Sequence, residues 1–320
     1  MTMTFRPVSI DDYDSVYGYM SRFGEGSCQH SFVSMYSLFE KYGDSIYEDG
    51  VFLYVLRSHL CGDTFRVYLA PFGEGDLRAA YQNILDDAHA HGLRARFVTL
   101  TETHADFLSQ AFPGRFEIVE DRNLAEYIYR TDQMAALSGG KLAKRRKEAH
   151  QFWNTYGDRA CVTPITADDF DEILAYEQAW LNQNGDNPDI QSLAREARTI
   201  QKQLRNFDAL RLSGVVLRID GRVCGYSYGT PLSDDFYDAL IEKGDRSLVY
   251  AYRVLRQESV RQCAMAQKYV NLEEDIGIEG LRALKLAYQP EFLLRKFIAT
   301  ELPTCDTQTR SPRKKEEERP

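Results

Sequence analysis

The chain predicts an α+β protein made of two similar halves, each with its own mixed β-sheet. Three observations lead there. Helical and strand periodicities follow one another in an order that repeats along the chain. Its 320 residues allow one large domain or two of ordinary size. With 43% hydrophobic and 12% aromatic residues, both halves can bury a core.

In the first half, residues 11–22 place Tyr13, Val16, Tyr17 and Met20 on one helical face, and residues 32–42 do the same with Phe32, Met35, Tyr36 and Phe39. Strands are predicted at 51–56 and 65–70, followed by a turn at Phe72-Gly73-Glu74-Gly75-Asp76. A helix over 76–91 aligns Leu77, Ala80, Tyr81, Ile84, Leu85 and Ala88. A strand at 96–100, a helix at 103–111 and strands at 116–119 and 127–129 complete this half, assigned to residues 1–136.

The second half, 137–303, opens with helices at 141–156, 168–183 and 192–206, with a polar loop at 184–188. A three-strand meander covers 210–219, 222–230 and 236–242, and Asp220-Gly221 suits a two-residue hairpin turn. A helix at 248–265, a strand at 268–271, a helix stopping at Pro290 and a closing strand at 292–299 follow. Residues 304–320 are charged and proline-flanked, the composition of a disordered tail.

A net charge of −9 argues against wholesale wrapping in nucleic acid or adhesion to anionic lipid, while leaving room for a local basic patch. The six cysteines lack C-x-x-C spacing and the histidines lack ligand spacing, so neither a disulfide framework nor a metal site is expected. The start has no signal-peptide pattern, and no apolar run approaches the roughly 18–20 residues needed to span a bilayer. The expectation is a soluble, cytoplasmic chain.

The densest chemistry lies where the strand at 268–271 runs into Glu273, Glu274 and Asp275. On the following helix, Ile278, Leu281, Arg282 and Lys285 share a face. Open sheets place ligands beyond the carboxyl ends of their strands, and a carboxylate there can take a proton from an attacking amine or hold a cationic group. The same acids could instead complement the helix dipole, with Asp275 as a cap. Arg282 and Lys285 could clamp an anion, or snorkel and pair with nearby acids. Lys141, Lys144, Arg145, Arg146 and Lys147 put five cations into seven residues, either a polyanion contact or a solvated helix face.

The run from Asn271 to Arg282 resembles the signature of the DUF2156 family, which is similar to the soluble C-terminal domain of phosphatidylglycerol lysyltransferases. Matching segments precede it: Pro71–Asp76, Tyr127–Arg130, Leu137–Leu142, and Ile241-Glu242-Lys243 with Ala251-Tyr252, together covering about residues 30–298 in the expected order. The resemblance implies two tandem GNAT-like halves with the active cleft in the second. It also implies an aminoacyl- or acyltransferase with aminoacyl-tRNA as donor, an amine or hydroxyl as acceptor, and no cofactor. On that basis Glu273, Glu274 and Asp275 take a proton or bind the donor's amino group, and Tyr288 protonates the leaving group by analogy with GNAT enzymes. Glu242, Lys243, Asn271, Arg282 and Lys285 contact substrate, and the basic helix at 141–147 meets the nucleic acid.

Leu272 stands where the family commonly carries arginine, and Lys147 and His150 stand where it carries asparagines. Lysyltransferases also carry a multi-helix membrane domain, so a soluble acceptor is expected here. Neither Gly73–Asp76 nor Lys243–Ser247 is the glycine-rich loop that cradles a CoA pyrophosphate. Acyl-CoA use is therefore the alternative, beside a non-catalytic ligand-binding protein on a degenerate fold.

Overall fold

The computed structural model describes residues 3–183 and 190–303. The strands are β1 (Arg6–Pro7), β2 (Asp44–Glu48), β3 (Phe52–Arg57), β4 (Phe65–Tyr68), β5 (Phe72–Gly73), β6 (Arg94–Leu100), β7 (Phe116–Glu120), β8 (Glu126–Arg130), β9 (Ala160–Pro164), β10 (Ser213–Ile219), β11 (Arg222–Pro231), β12 (Phe236–Gly244), β13 (Tyr269–Glu274), β14 (Phe292–Leu294) and β15 (Phe297–Glu301). The helices are α1 (Tyr13–Phe23), α2 (Phe32–Ser37), α3 (Phe39–Tyr42), α4 (Leu77–Ala90), α5 (Glu102–Ala111), α6 (Thr131–Ala136), α7 (Ala143–Tyr156), α8 (Phe170–Gln183), α9 (Ile190–Arg205), α10 (Ala251–Cys263) and α11 (Glu279–Leu286).

One sheet runs β1-β2-β3-β4-β6-β15-β7, with β5 paired to β3; the other runs β14-β8-β13-β12-β11-β10-β9. Both mix parallel and antiparallel pairs, as expected of two GNAT-like halves. The sheets do not part at residue 137, however. β8 comes from the first stretch of chain and joins the second sheet, while β15 returns from the carboxyl end to the first.

That return divides the predicted 292–299 strand in two, because Arg295 and Lys296 carry the chain from one sheet to the other. The predicted 32–42 helix also divides, at Leu38, and α3 ends on left-handed Gly43. β1, β2, β5 and β9 carry no clear sequence signal; β2 and β9 hold Asp, Glu or Pro among few apolar residues. The 184–188 loop and the 304–320 tail lie outside the described residues.

Alternation along the strands sorts the core into layers. Val215, Leu217 and Ile219 of β10 pack with Phe152 of α7 and Val254 and Leu255 of α10. On the opposite face, Val216, Tyr226 and Tyr228 meet Ile173 of α8 and Ile200 and Leu204 of α9, in one cluster with Phe32 and Met35 of α2. Beyond the first sheet, Tyr81, Ile84 and Leu85 of α4 form the third cluster. The two halves thus share a continuous apolar layer.

β12 and β13 are parallel and pair only at Phe236↔Tyr269, Tyr237↔Val270 and Asp238↔Asn271. Past that point β12 continues to Gly244 and β13 to Glu274 without pairing to each other, so the sheet splays open between them. The acidic motif sits on one arm of that opening.

Candidate active site

A cavity of about 350 Å³ fills the splay. Its walls are Cys28, Gln29 and Tyr42 from the first half, Leu193, Glu196 and Thr199 from α9, Leu240 and Ile241 from β12, and Glu273 and Glu274 from β13. On a flat strand, consecutive side chains point to opposite faces. Glu273 escapes this rule through a left-handed φ of 58°, where the β13–β8 register shifts between Asn271 and Glu274. The kink is held on both sides. Asn271 Oδ1 accepts from the Glu273 N–H at 2.7 Å, and Lys285 Nζ donates to the carbonyls of Leu272 and Glu274, each at 2.5 Å.

The two glutamates sit in different surroundings. Glu274 accepts from Gln29 Nε2 at 3.1 Å and from the Cys28 thiol at 3.6 Å. Burial, reinforced by the charge of Glu274, pushes the Glu273 carboxyl up to about 8. Beneath it lies Asp238, fully buried at the vertex of the splay, with both carboxyl oxygens lacking a hydrogen bond among the described residues. Burial, and after it the neighbouring carboxylates led by Glu273, push the Asp238 carboxyl well above its ordinary value. Cys28 Sγ and the carboxyl oxygens of Asp238 and Glu273 lie within 4.8 Å of one another and offer three metal donors. Burial also raises the Cys28 thiol, and the Lys285 ammonium already places a positive charge near Glu273 and Cys28.

The structure brings Glu273 and Glu274 to the cavity but takes Asp275 away from it. Asp275 is buried and accepts from Tyr127 Oη at 2.5 Å, Arg282 Nε at 2.8 Å, Arg122 at 3.3 Å and the Gly277 N–H at 2.9 Å. The Arg282 hydrogen bond, with help from Tyr127 and Gly277, holds its carboxyl well below the usual carboxylate range. Its role is to tie the motif to the start of α11. Asp275→Ala is expected to cost about 1–3 kcal/mol of stability, since it strands several donors. A depressed carboxyl contributes above its ordinary value of 3.8 and loses that contribution as pH falls. The deficit measured by urea unfolding is therefore expected at pH 7 and should shrink toward pH 3.

The predicted cations are likewise engaged elsewhere. Arg282 is held by Asp275 and Asn123, and Lys285 by backbone carbonyls, so neither forms an anion clamp. Tyr288 is buried in the α7–α10 layer, across the sheet from the cavity, with Arg253 donating to its hydroxyl at 3.4 Å. Glu242 pairs with Arg256 at 2.6 Å. Lys243 pairs with the cavity wall's Glu196 at 2.6 Å and lies over the Trp180 ring. Asn271 positions rather than lines: its Nδ2 donates to Gly26 O and to Glu126.

On α7, which starts at Ala143 rather than 141, Arg145 binds Glu148, Arg146 binds the carbonyl of Leu137, and Lys144 and Lys147 are exposed, as is Lys141 in the turn before the helix. That helix packs on the sheet face opposite the cavity. Lys41 and Arg195 are instead the exposed cations lining the cavity.

Asp238 and Gln29 escape the sequence reading, and Cys28 reads there as a buried thiol in local packing rather than as part of a site. Asp238 had a signal, a single acid within the otherwise apolar run Phe236-Tyr237-Asp238-Ala239-Leu240. Cys28 and Gln29 had none, because a loop declares its partners only in three dimensions.

Known proteins frame this geometry. Residues 21–300 match the family model described as "Phosphatidylglycerol lysyltransferase, C-terminal". A crystal structure of a conserved protein of unknown function from Bacteroides thetaiotaomicron VPI-5482 is 30% identical, with a TM-score of 0.88 over 94% of this chain and 100% of that one. The C-terminal DUF2156 domain of a protein described as a lysylphosphatidylglycerol synthetase of Agrobacterium fabrum shares the fold, with a TM-score of 0.66 at 15% identity over 92% of each chain. An uncharacterized protein of Mycoplasmoides gallisepticum, MYCGA3080, is 24% identical over 182 residues, which span 57% of this chain and 58% of that relative. No described helix is long and apolar enough to cross a membrane. With a match that runs through both sheets and the cavity between them, the chain belongs to the phosphatidylglycerol lysyltransferase C-terminal family, on a tandem GNAT-like fold.

Proposed function

We propose that the protein is an aminoacyltransferase of the lysylphosphatidylglycerol-synthetase type, moving an aminoacyl group from aminoacyl-tRNA to an amine or hydroxyl acceptor. The observation that carries this reading is the unequal pair in the splay: Glu274 bound to Gln29, beside Glu273 with its carboxyl near 8. Glu274 faces the donor's ammonium. The acceptor attacks the ester carbonyl, the new C–N or C–O bond forms as the ester C–O bond breaks, and the acceptor's proton passes to Glu273. A base whose pKa lies near the working pH suits that task. The proton then leaves with the freed ribose hydroxyl. Holding two substrates in one cavity supplies much of the acceleration, and no covalent enzyme intermediate is needed.

The CoA alternative finds little support in the loop before α10. Asp245 Oδ1 accepts from the Ser247 N–H at 2.8 Å and from its hydroxyl at 2.7 Å, and Lys243 is already paired with Glu196. A pyrophosphate there would meet a carboxylate rather than free donors. For the tRNA backbone, Lys41 and Arg195 border the cavity itself, whereas Lys141, Lys144 and Lys147 face away from it.

Thermal-shift titration tests the reading. Aminoacyl-tRNA is expected to stabilise the protein more than deacylated tRNA does, and Glu274→Gln should erase the difference. Lys41→Ala/Arg195→Ala is expected to reduce the salt-dependence slope by about two, one for each phosphate contact, whereas Lys141→Ala/Lys144→Ala/Lys147→Ala leaves it unchanged. Stabilisation by CoA alone would overturn the assignment.

A further inference from the structure

We propose that the first half sets donor selectivity from within the fold: Arg57, acting through Gln29, fixes the orientation of the Glu274 carboxylate, which makes both of them positioning residues for the second half's site. This deepens the reading above and rests on it.

The argument starts from Arg57, a cation on β3 that is only 2% exposed. Its guanidinium lies over the Tyr42 ring at 4.1 Å, and its Nε is 3.4 Å from the buried Asp44. The remaining nitrogens converge on Gln29: Nη1 and Nη2 donate to its Oε1 at 3.4 and 3.3 Å, and Nη2 donates to its carbonyl at 3.5 Å. A guanidinium has donors only. Gln29 must therefore present its amide oxygen to Arg57, and its Nε2 is left to face Glu274 Oε1, 3.1 Å away.

The neighbours thus remove the usual freedom of a glutamine amide to flip. Gln29 can donate toward β13 and cannot accept from it, so the partner oxygen of Glu274 has to be an acceptor. One oxygen of Glu274 is engaged in this way. Among the described residues the other meets only the weak donor of the Cys28 thiol, and it is available to a ligand's ammonium. Gln29 and Glu274 are 245 residues apart in sequence, and this contact joins an element of the first half to the reactive edge of the second. A long, rotatable carboxylate held by such a chain presents one acceptor in one direction, which is what selection among aminoacyl groups needs.

The test uses the full chain and two readouts: the Kd of a panel of amino-acid amides by calorimetry, and KM and kcat for aminoacyl transfer. Gln29→Leu is expected to weaken amide binding and raise KM about tenfold, with kcat within about twofold, as befits loss of one hydrogen bond to a charged group. It should also flatten the affinity differences across the panel. Arg57→Lys keeps the charge but not the fork, and is expected to give a smaller change in the same direction.

The double variant Gln29→Leu/Glu274→Gln should be no worse than Glu274→Gln alone, because the positioned group is already gone. Additive losses in that cycle would overturn the relay, as would Gln29→Leu and Arg57→Lys affecting kcat and melting temperature with Kd unchanged. A Glu274→Gln protein that binds the amides like the parent would instead overturn the placement of the ammonium at Glu274.

Discussion

Lys296→Met is expected to lower the unfolding free energy by about 3–5 kcal/mol, the cost typical of removing one partner from a buried ion pair. The ammonium of Lys296 and the carboxylate of Glu126 are both fully buried, 2.8 Å apart. Lys296 also donates to Ser27 Oγ at 2.5 Å, and Glu126 collects further donors from Ser27 Oγ at 2.8 Å, Cys28 N at 3.0 Å and Asn271 Nδ2 at 2.5 Å. Burial by itself pushes the Glu126 carboxyl up. The Lys296 charge and these hydrogen bonds override it, leaving the acid below its ordinary value of 4.5. A depressed carboxyl contributes stability above that value and loses it as pH falls. In Lys296→Met the override is gone and Glu126 gains affinity for a proton, so the deficit should be largest near pH 8 and smaller at pH 5. Urea unfolding at the two pH values reads both parts. A deficit below about 1 kcal/mol at each would show that the pair is not what ties the Cys28–Gln29 loop to β8 and β13.

Glu273→Gln is expected to lower the transfer rate by about 10²–10⁴ while making the protein more stable in alkali. The rate loss is the usual contribution of a positioned general base. The stability gain follows from the sign of the titration. In the fold Glu273 holds its proton up to about pH 8, whereas the unfolded chain releases it near 4.5. Folding therefore weakens as pH rises from 4.5 to 8, by up to about 1.4 kcal/mol per pH unit for one proton. A glutamine has no proton to lose, so the slope should flatten in the variant, leaving it the more stable protein at pH 8. Opposite movements of stability and activity are common at functional sites. Denaturation curves at pH 5, 6.5 and 8, run beside transfer assays, check the pair of effects. A slope unchanged in Glu273→Gln would contradict the assignment of the proton to Glu273.

The three acids of the motif look alike in one dimension and part company in three. For Asp275 both the cap and the functional reading were open, and burial against Tyr127, Arg122 and Arg282 decided for the structural one. Arg282 and Lys285 share a helical face as their spacing implies, yet their donors end on Asp275 and on the Leu272 and Glu274 carbonyls. The basic run at 141–147 is helical from Ala143 onward, but its helix lies on the far side of the second sheet from the cavity. Asp238 stands out in the sequence only as a lone acid in an apolar run, and Gln29, a glutamine in a loop, has no local pattern to betray it.

By itself, the sequence determined the succession of helices and strands, the mixed α+β class, the family, and the strand end at which carboxylates accumulate. Those properties follow from periodicities and motifs spanning a dozen residues or so, within which side chains repeat every 3.6 or 2 positions. Only the tertiary structure decided that β8 and β15 change places between the sheets, that a left-handed kink turns Glu273 and Glu274 into one cavity, and that Arg57, Gln29 and Asp238 surround them. Such groupings depend on contacts between residues as far apart as Ser27 and Lys296, 269 positions along the chain. No local rule of spacing reaches that far, and burial and charge settle the arrangement only once the chain has closed on itself.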